Sequence, residues 1–228
     1  MHNNNNNTTS TLPTGFAELD VRLPGGGWPR GALTEIVAER LSVGELRLLT
    51  PAAARLTREG RWLALIAPPC GSAAAMLAAQ GANPARLIVM RPERPQETLR
   101  VCEQVLRAGH CGMVLCWPGT LSEHDARKLA QAAADSGTAG FLLHNGQAMR
   151  ASTAALRLSL AGRGSRATVR ILQPATGPAP VVMAPVTLDL FMGVSGIARR
   201  SPAERAANGE RWREIRPPAA GEALRLPL

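Results

Sequence analysis

The residues best placed by type and spacing to do chemistry lie between positions 14 and 46. Thr14-Gly15 and Leu19-Asp20 precede Gly25-Gly26-Gly27, then Trp28-Pro29-Arg30-Gly31, then the strand-like Thr34-Glu35-Ile36-Val37. A strand, a turn and a helix in that order suit the gripping of a nucleotide's phosphates. The chemistry has fixed needs: glycines that let backbone N–H groups approach phosphate, a lysine for the terminal phosphates, and a Ser/Thr hydroxyl for magnesium. Here the lysine and hydroxyl positions carry Glu45 and Leu46, and the glycines are reduced to Gly44. A carboxylate repels a polyanion, and leucine cannot ligate a metal. The single lysine, Lys128, is out of sequence position, although Arg40 and Arg47 are near. The expectation is a degenerate phosphate loop at Gly44, Glu45 and Leu46, with no cofactor, no metal and no catalytic residue. That points to a binding protein, not an enzyme.

The elements that must position these residues follow from periodicity. Residues 32–37 read as a first strand and 44–58 as a helix. Pro51 interrupts that helix. It implies either a kink or a fresh start, with Thr50 as N-cap and Pro51 at the first helical position. Strands are expected at 62–67, 86–90, 112–117 and 140–144. Between them, helices are expected at 72–80, at 96–108 with Leu99, Cys102, Val105 and Leu106 inward, and from Ser122 to Gly137. This alternation implies a largely parallel sheet covered on both faces. After residue 150 the pattern changes: 155–160 and 167–172 flank Ala161-Gly162-Arg163-Gly164-Ser165 as an antiparallel hairpin. A last apolar segment spans 186–191. The asparagine-rich residues 1–12 are expected to be disordered, 13–194 to form the domain, and 195–228 to be a flexible basic tail.

The formal charge of +9 comes almost wholly from arginine, which suits a nucleic-acid or acidic-protein partner or, equally, a solvated arginine surface. Cys70, Cys102, Cys111 and Cys116 show no metal-ligand spacing, and small apolar cysteines commonly sit in cores. No stretch is long and apolar enough to span a membrane, and no signal peptide is seen, so a cytoplasmic protein is expected.

Taken together, Thr14-Gly15, Leu19-Asp20, the triple glycine with Pro29 and Gly31, and Thr34-Glu35-Ile36 resemble the start of the RecA recombinase core. The continuation Gly44-Glu45-Leu46-Arg47-Leu48-Leu49 departs from RecA and is similar to the ImuA family, the RecA-like accessory proteins of bacterial mutagenesis cassettes. So are Arg58-Glu59-Gly60-Arg61-Trp62, Ile66-Ala67-Pro68-Pro69, Leu87-Ile88-Val89-Met90-Arg91-Pro92, Leu106-Arg107-Ala108-Gly109, Cys116-Trp117-Pro118 and Gly140-Phe141. The resemblance spans roughly residues 13–195. It implies a RecA-like α/β core with a mostly parallel sheet flanked by helices, a C-terminal antiparallel hairpin and a basic tail. It implies an adaptor role in SOS-induced translesion DNA synthesis and mutagenesis. Its partners would be ImuB, an inactive relative of lesion-bypass polymerases, and an error-prone polymerase, with RecA and DNA as further candidates. SulA, a shorter relative that blocks cell division by binding FtsZ, resembles residues 44–145 and supplies the alternative. A DNA-dependent ATPase with a non-standard pocket is a third reading.

The resemblance also assigns sites. A RecA-type core places a magnesium acid near the end of the fourth strand, where this chain has Val114-Leu115-Cys116 and then Trp117-Pro118. Glu35, at the end of the first strand, lies near residues such a fold uses on water, with a structural role as the other reading. DNA-facing loops would fall at 118–123 and 145–153, giving Arg150, with Arg163 and Arg166 on the hairpin. Thr187-Leu188-Asp189-Leu190-Phe191 resembles a sliding-clamp peptide lacking its leading Gln, and also alternates as a half-buried strand does. In the tail, Arg199, Arg200, Arg211, Trp212 and Arg213 are the partner-binding candidates, together with 224–228.

Overall fold

Continuous apolar runs too short for helices become strands buried on both faces. In the computed structural model of the chain, residues 11–39, 44–146, 153–163, 166–172, 184–190, 211–218 and 222 are described. Two short strands, β1 (Thr11–Leu12) and β2 (Trp28–Pro29), pair with each other and bracket α1 (Ala17–Asp20). The main elements follow as β3 (Ala32–Ala38), α2 (Gly44–Arg58), β4 (Trp62–Ile66), α3 (Ala73–Ala79), β5 (Leu87–Met90), α4 (Glu97–Ala108), β6 (Cys111–Cys116), α5 (Glu123–Ser136) and β7 (Ala139–Asn145). Then come β8 (Leu156–Arg163), β9 (Arg166–Leu172), β10 (Val186–Asp189) and β11 (Arg213–Ile215). Nine strands form one sheet in the order β10-β9-β8-β3-β7-β6-β4-β5-β11. Pairing is parallel from β8 through β11 and antiparallel for β8–β9 and β9–β10. The chain is thus mixed α/β, a large central sheet flanked by helices.

Side chains alternate across the sheet and build a core on each face. On one face Leu46, Leu49 and Leu56 of α2 and Leu77 of α3 pack with Leu63, Leu115, Phe141 and Leu158. On the other, Val101, Val105 and Leu106 of α4 and Leu129 of α5 pack with Ala64, Val114 and Leu142. The helix signals read from sequence have clear physical counterparts. The Ser122 hydroxyl caps α5 by accepting from the Asp125 N–H at 3.1 Å and donates to the Asp125 carboxylate at 2.6 Å. Gly109 and Gly137 close α4 and α5 in left-handed conformations.

Four expectations need correction. The α2 helix runs unbroken through Pro51, and Thr50 caps nothing: its hydroxyl donates back to the Leu46 carbonyl at 2.8 Å. The buried face of α2 overrides the local cost of proline. The Arg100 guanidinium on α4 donates to the Pro218 carbonyl at 2.8 Å. Leu99 packs partly buried against the second core, and Val101 joins Cys102, Val105 and Leu106 as a fully buried residue of α4. Thr11–Leu12 form β1, and within the expected tail Arg213–Ile215 form an edge strand, because β5 is wholly apolar and needs a cover.

The segment before β3 is a structural clip. The Thr14 N–H donates to Asp20 Oδ1 at 2.9 Å, and the Phe16 N–H donates to Thr14 Oγ1 at 3.1 Å. Gly15 has φ +90°, and a Cβ there would lie 2.3 Å from the Pro51 Cβ. A Cβ on Gly27 would strike the Leu12 carbonyl oxygen at 2.5 Å. Phe16, Leu19, Leu23 and Trp28 are delivered into the first core, with Trp28 set edge-on against Phe141 at 5.4 Å.

Candidate functional site

The turn that would hold phosphate leaves β3 at Ala38 and re-enters the fold at Gly44. Arg40 lies outside the described residues. Glu45 and Leu46 occupy the first turn of α2, each 1% exposed, and Leu46 belongs to the core. A Cβ on Gly44 would meet only Leu160 Cδ2, at an ordinary 3.7 Å, so no tight backbone approach requires glycine there. A carboxylate and an aliphatic chain turned into the protein do not form a phosphate cradle. Lys128 sits exposed on α5, beside a cleft of about 420 Å³ between α4 and α5, away from this turn.

The strongest electrostatic feature is a buried cluster on three adjacent strands. Glu35 lies mid-strand in β3, not at its end, and pairs in register with Arg157 of β8. Arg157 Nε stands 2.7 Å from Glu35 Oε2, and His144 Nε2 of β7 is 3.5 Å from Glu35 Oε1. Glu35, His144 and Arg157 are 1%, 7% and 6% exposed. Burial holds the His144 imidazole below its ordinary pKa; the Glu35 carboxylate pulls the other way and the Arg157 guanidinium adds to the depression. The cluster joins the hairpin to the parallel sheet through charge, and it fits the structural reading of Glu35. Sequence reasoning passed over His144 and Arg157. Arg157 stands between Leu156 and Leu158, where strand alternation alone would turn it to the opposite face; only a cover on that face gives it a buried partner.

The end of β6 carries no acid. Trp117 instead donates its backbone N–H to the Ile66 carbonyl at 3.1 Å, and its ring packs in the first core. Cys102, Cys111 and Cys116 are buried and Cys70 is exposed. Burial pushes the Cys111 thiol up to about 12 against the opposing charge of Arg61. Among the described residues no group of three or more His, Cys, Asp or Glu is placed to hold a metal ion, and no helix is long and apolar enough to cross a membrane.

Of the DNA-contact candidates, two are cross-strand neighbours on the hairpin. Arg150 lies outside the described residues; Arg163 ends β8, opposite Arg166 at the start of β9. Arg166 is exposed and also stands in register with Asp189 of β10, which places an acid beside it. The clamp-like peptide is built as strand: Leu188 and Leu190 are buried, Thr187 and Asp189 exposed, and Phe191 lies outside the described residues.

Arg199, Arg200 and 224–228 also lie outside the described residues. Arg211 is exposed. Trp212 packs against the first core, and Ile215, on the opposite face of β11, against the second. Arg213 stacks on the Trp62 ring at 5.5 Å, as Arg86 does at 5.0 Å. Trp212 and Arg213 are therefore engaged with their own sheet.

Residues 31–140 match the family model described as Cell division inhibitor SulA. The Cell division inhibitor SulA of Serratia marcescens is 26% identical over 117 residues, covering 51% of this chain and 70% of that protein. Protein RecA of Levilactobacillus brevis is 28% identical over 115 residues, covering 50% of this chain but only 30% of that protein. The crystal structure of SulA from Pseudomonas aeruginosa aligns at 27% identity over 50% of this chain and 98% of that chain, with a TM-score of 0.44. The chain thus carries a SulA-family domain at residues 31–140, with SulA and RecA proteins as relatives at low identity.

Proposed function

We propose that the protein is a non-catalytic accessory factor of SOS-induced, error-prone translesion DNA synthesis, an adaptor to ImuB and through it to the error-prone polymerase. The observation that carries this reading is the phosphate turn. Glu45 and Leu46 stand buried where a lysine and a hydroxyl would be needed. A RecA-related scaffold without that chemistry is suited to holding partners. RecA and DNA remain candidate further contacts. The test is co-elution of the full chain with purified ImuB at micromolar concentration, with and without magnesium ATP. A stoichiometric complex indifferent to nucleotide is expected. Failure to co-elute, or a complex formed only with ATP, would refute the reading.

A second reading has its own support: the SulA family match at residues 31–140. Under it the chain restrains cell division by binding FtsZ. Light scattering of polymerising FtsZ separates the two. Suppression at substoichiometric to equimolar chain favours this reading, and unchanged polymerisation removes it.

A further inference from the structure

The β5 edge of the sheet is wholly apolar: Leu87, Ile88, Val89 and Met90 are all buried. Uncovered, such an edge presents unpaired backbone groups and recruits strands from other chains. Its cover is β11, three residues drawn from far along the sequence and paired in parallel, Arg213 to Ile88 and Ile215 to Met90. The cover is shaped as a plug. Trp212 enters the core on one face; Ile215 and the Arg213–Trp62 stack lie on the other. Beyond it, Arg100 donates to the Pro218 carbonyl and Gln104 to the Glu222 carbonyl at 3.2 Å. Its ion pairs, Arg91–Glu214 at 3.9 Å and Arg216–Glu93 at 2.9 Å, are exposed and add little. A short, peripheral plug of this kind belongs to the easily opened part of a fold.

The tether to the plug sets who can fill the seat. β10 and β11 are the two opposite edges of the nine-stranded sheet. Eight inter-strand steps separate them by about 38 Å. Residues 191–210 connect Leu190 to Arg211, a covalent reach of at most about 70 Å when fully extended. Closure within one chain must fit within that covalent reach. A second copy brings the identical strand to the identical seat, with every contact of the plug preserved and only the tether constraint removed. We infer that the β5 edge is a strand-docking site, and that residues 211–218 of one copy can occupy the edge of another, giving reciprocal dimers or head-to-tail assemblies. This rests on the sheet edge and the length of its tether, and stands whichever functional reading holds.

Shortening the tether decides the matter. Deleting residues 201–210 from the full chain cuts its reach to about 38 Å, too little to pass around the protein. Closure within one chain is then blocked, while docking between chains is not. Sedimentation at concentrations up to about 100 μM is expected to show discrete dimers or longer assemblies. Those assemblies should revert to monomer when Trp212→Ala and Ile215→Glu are added. A folded, monomeric deletion variant overturns the proposal, as do assemblies that persist in the plug-disabled version. If the deletion variant fails to fold, a labelled peptide of residues 209–222 is titrated against the full chain carrying Trp212→Ala and Ile215→Glu. Saturable binding, lost when the peptide itself carries Trp212→Ala, supports the site. No binding to that folded variant overturns it.

Discussion

Replacing Glu35 by Leu leaves the Arg157 guanidinium in the sheet without the carboxylate 2.7 Å away. Both groups are more than nine-tenths buried, so water cannot substitute for the lost charge. Breaking one side of such a pair costs about 3–5 kcal/mol, because the surviving charge keeps its desolvation penalty. For a chain of this size that lowers Tm by about 6–20 °C, at roughly 2–4 °C per kcal/mol. Removing both partners, as Glu35→Leu with Arg157→Met, deletes the penalty together with the attraction. It should return stability to within about 1–2 kcal/mol of the parent. Urea unfolding followed by far-UV circular dichroism at pH 7.5, where His144 is neutral, gives the four corners of the cycle. A coupling energy of several kcal/mol is expected. If Glu35→Leu costs less than about 1 kcal/mol, or the double variant is less stable than both singles, the cluster is not the charge-paired joint described above.

Three further outcomes follow from the same geometry. His144 is held below the ordinary imidazole value of 6.5, so the unfolded chain takes up its proton first as pH falls. Its contribution to stability is therefore complete above pH 6.5 and is lost as pH drops through the depressed folded value; His144→Gln should flatten that part of a stability-against-pH curve. Gly15→Ala combines φ +90° with a Cβ 2.3 Å from Pro51, and should destabilise by about 2–4 kcal/mol in urea titration; a loss below 0.5 kcal/mol would contradict the clip. Of the four cysteines only Cys70 is exposed, so a thiol reagent should modify one equivalent quickly in the native protein and the remainder only on unfolding.

The architecture was legible where one physical signal dominated. Apolar runs such as 62–66 and 87–90 have no alternative but a doubly covered strand, and Ser122, Gly109 and Gly137 fix helix ends by local chemistry. The misreadings share a cause: each depends on a neighbour remote in sequence. Pro51 reads locally as a break, yet its ring fills the space left by Gly15, and α2 continues. Arg213 and Trp212 read as free partner-binding groups in a basic tail, yet Trp62 and the open β5 edge claim them. His144 and Arg157 each read alone as a surface residue. Only the order β8-β3-β7 brings them to Glu35.

The leading glycine motif shows why resemblance to a nucleotide-binding core does not carry nucleotide binding with it. Gly15 is required by Pro51 on α2 and Gly27 by the backbone of Leu12. The Asp20 carboxylate accepts from the Thr14 backbone N–H, and the Thr14 hydroxyl is used on the backbone of Phe16. These demands come from packing within the chain. The motif would therefore be retained by a chain that needs only the scaffold. The residues answerable to phosphate alone are the ones at the start of α2, and those are Glu45 and Leu46, turned inward. Packing accounts for what the chain keeps. A requirement for nucleotide would demand what it lacks. The distinction predicts that labelled ATP with magnesium binds no more tightly to the parent chain than to an Arg47→Ala variant. Micromolar binding abolished by that substitution would show that a cation outside the usual position does the missing lysine's work on phosphate, and the adaptor reading would fall with it.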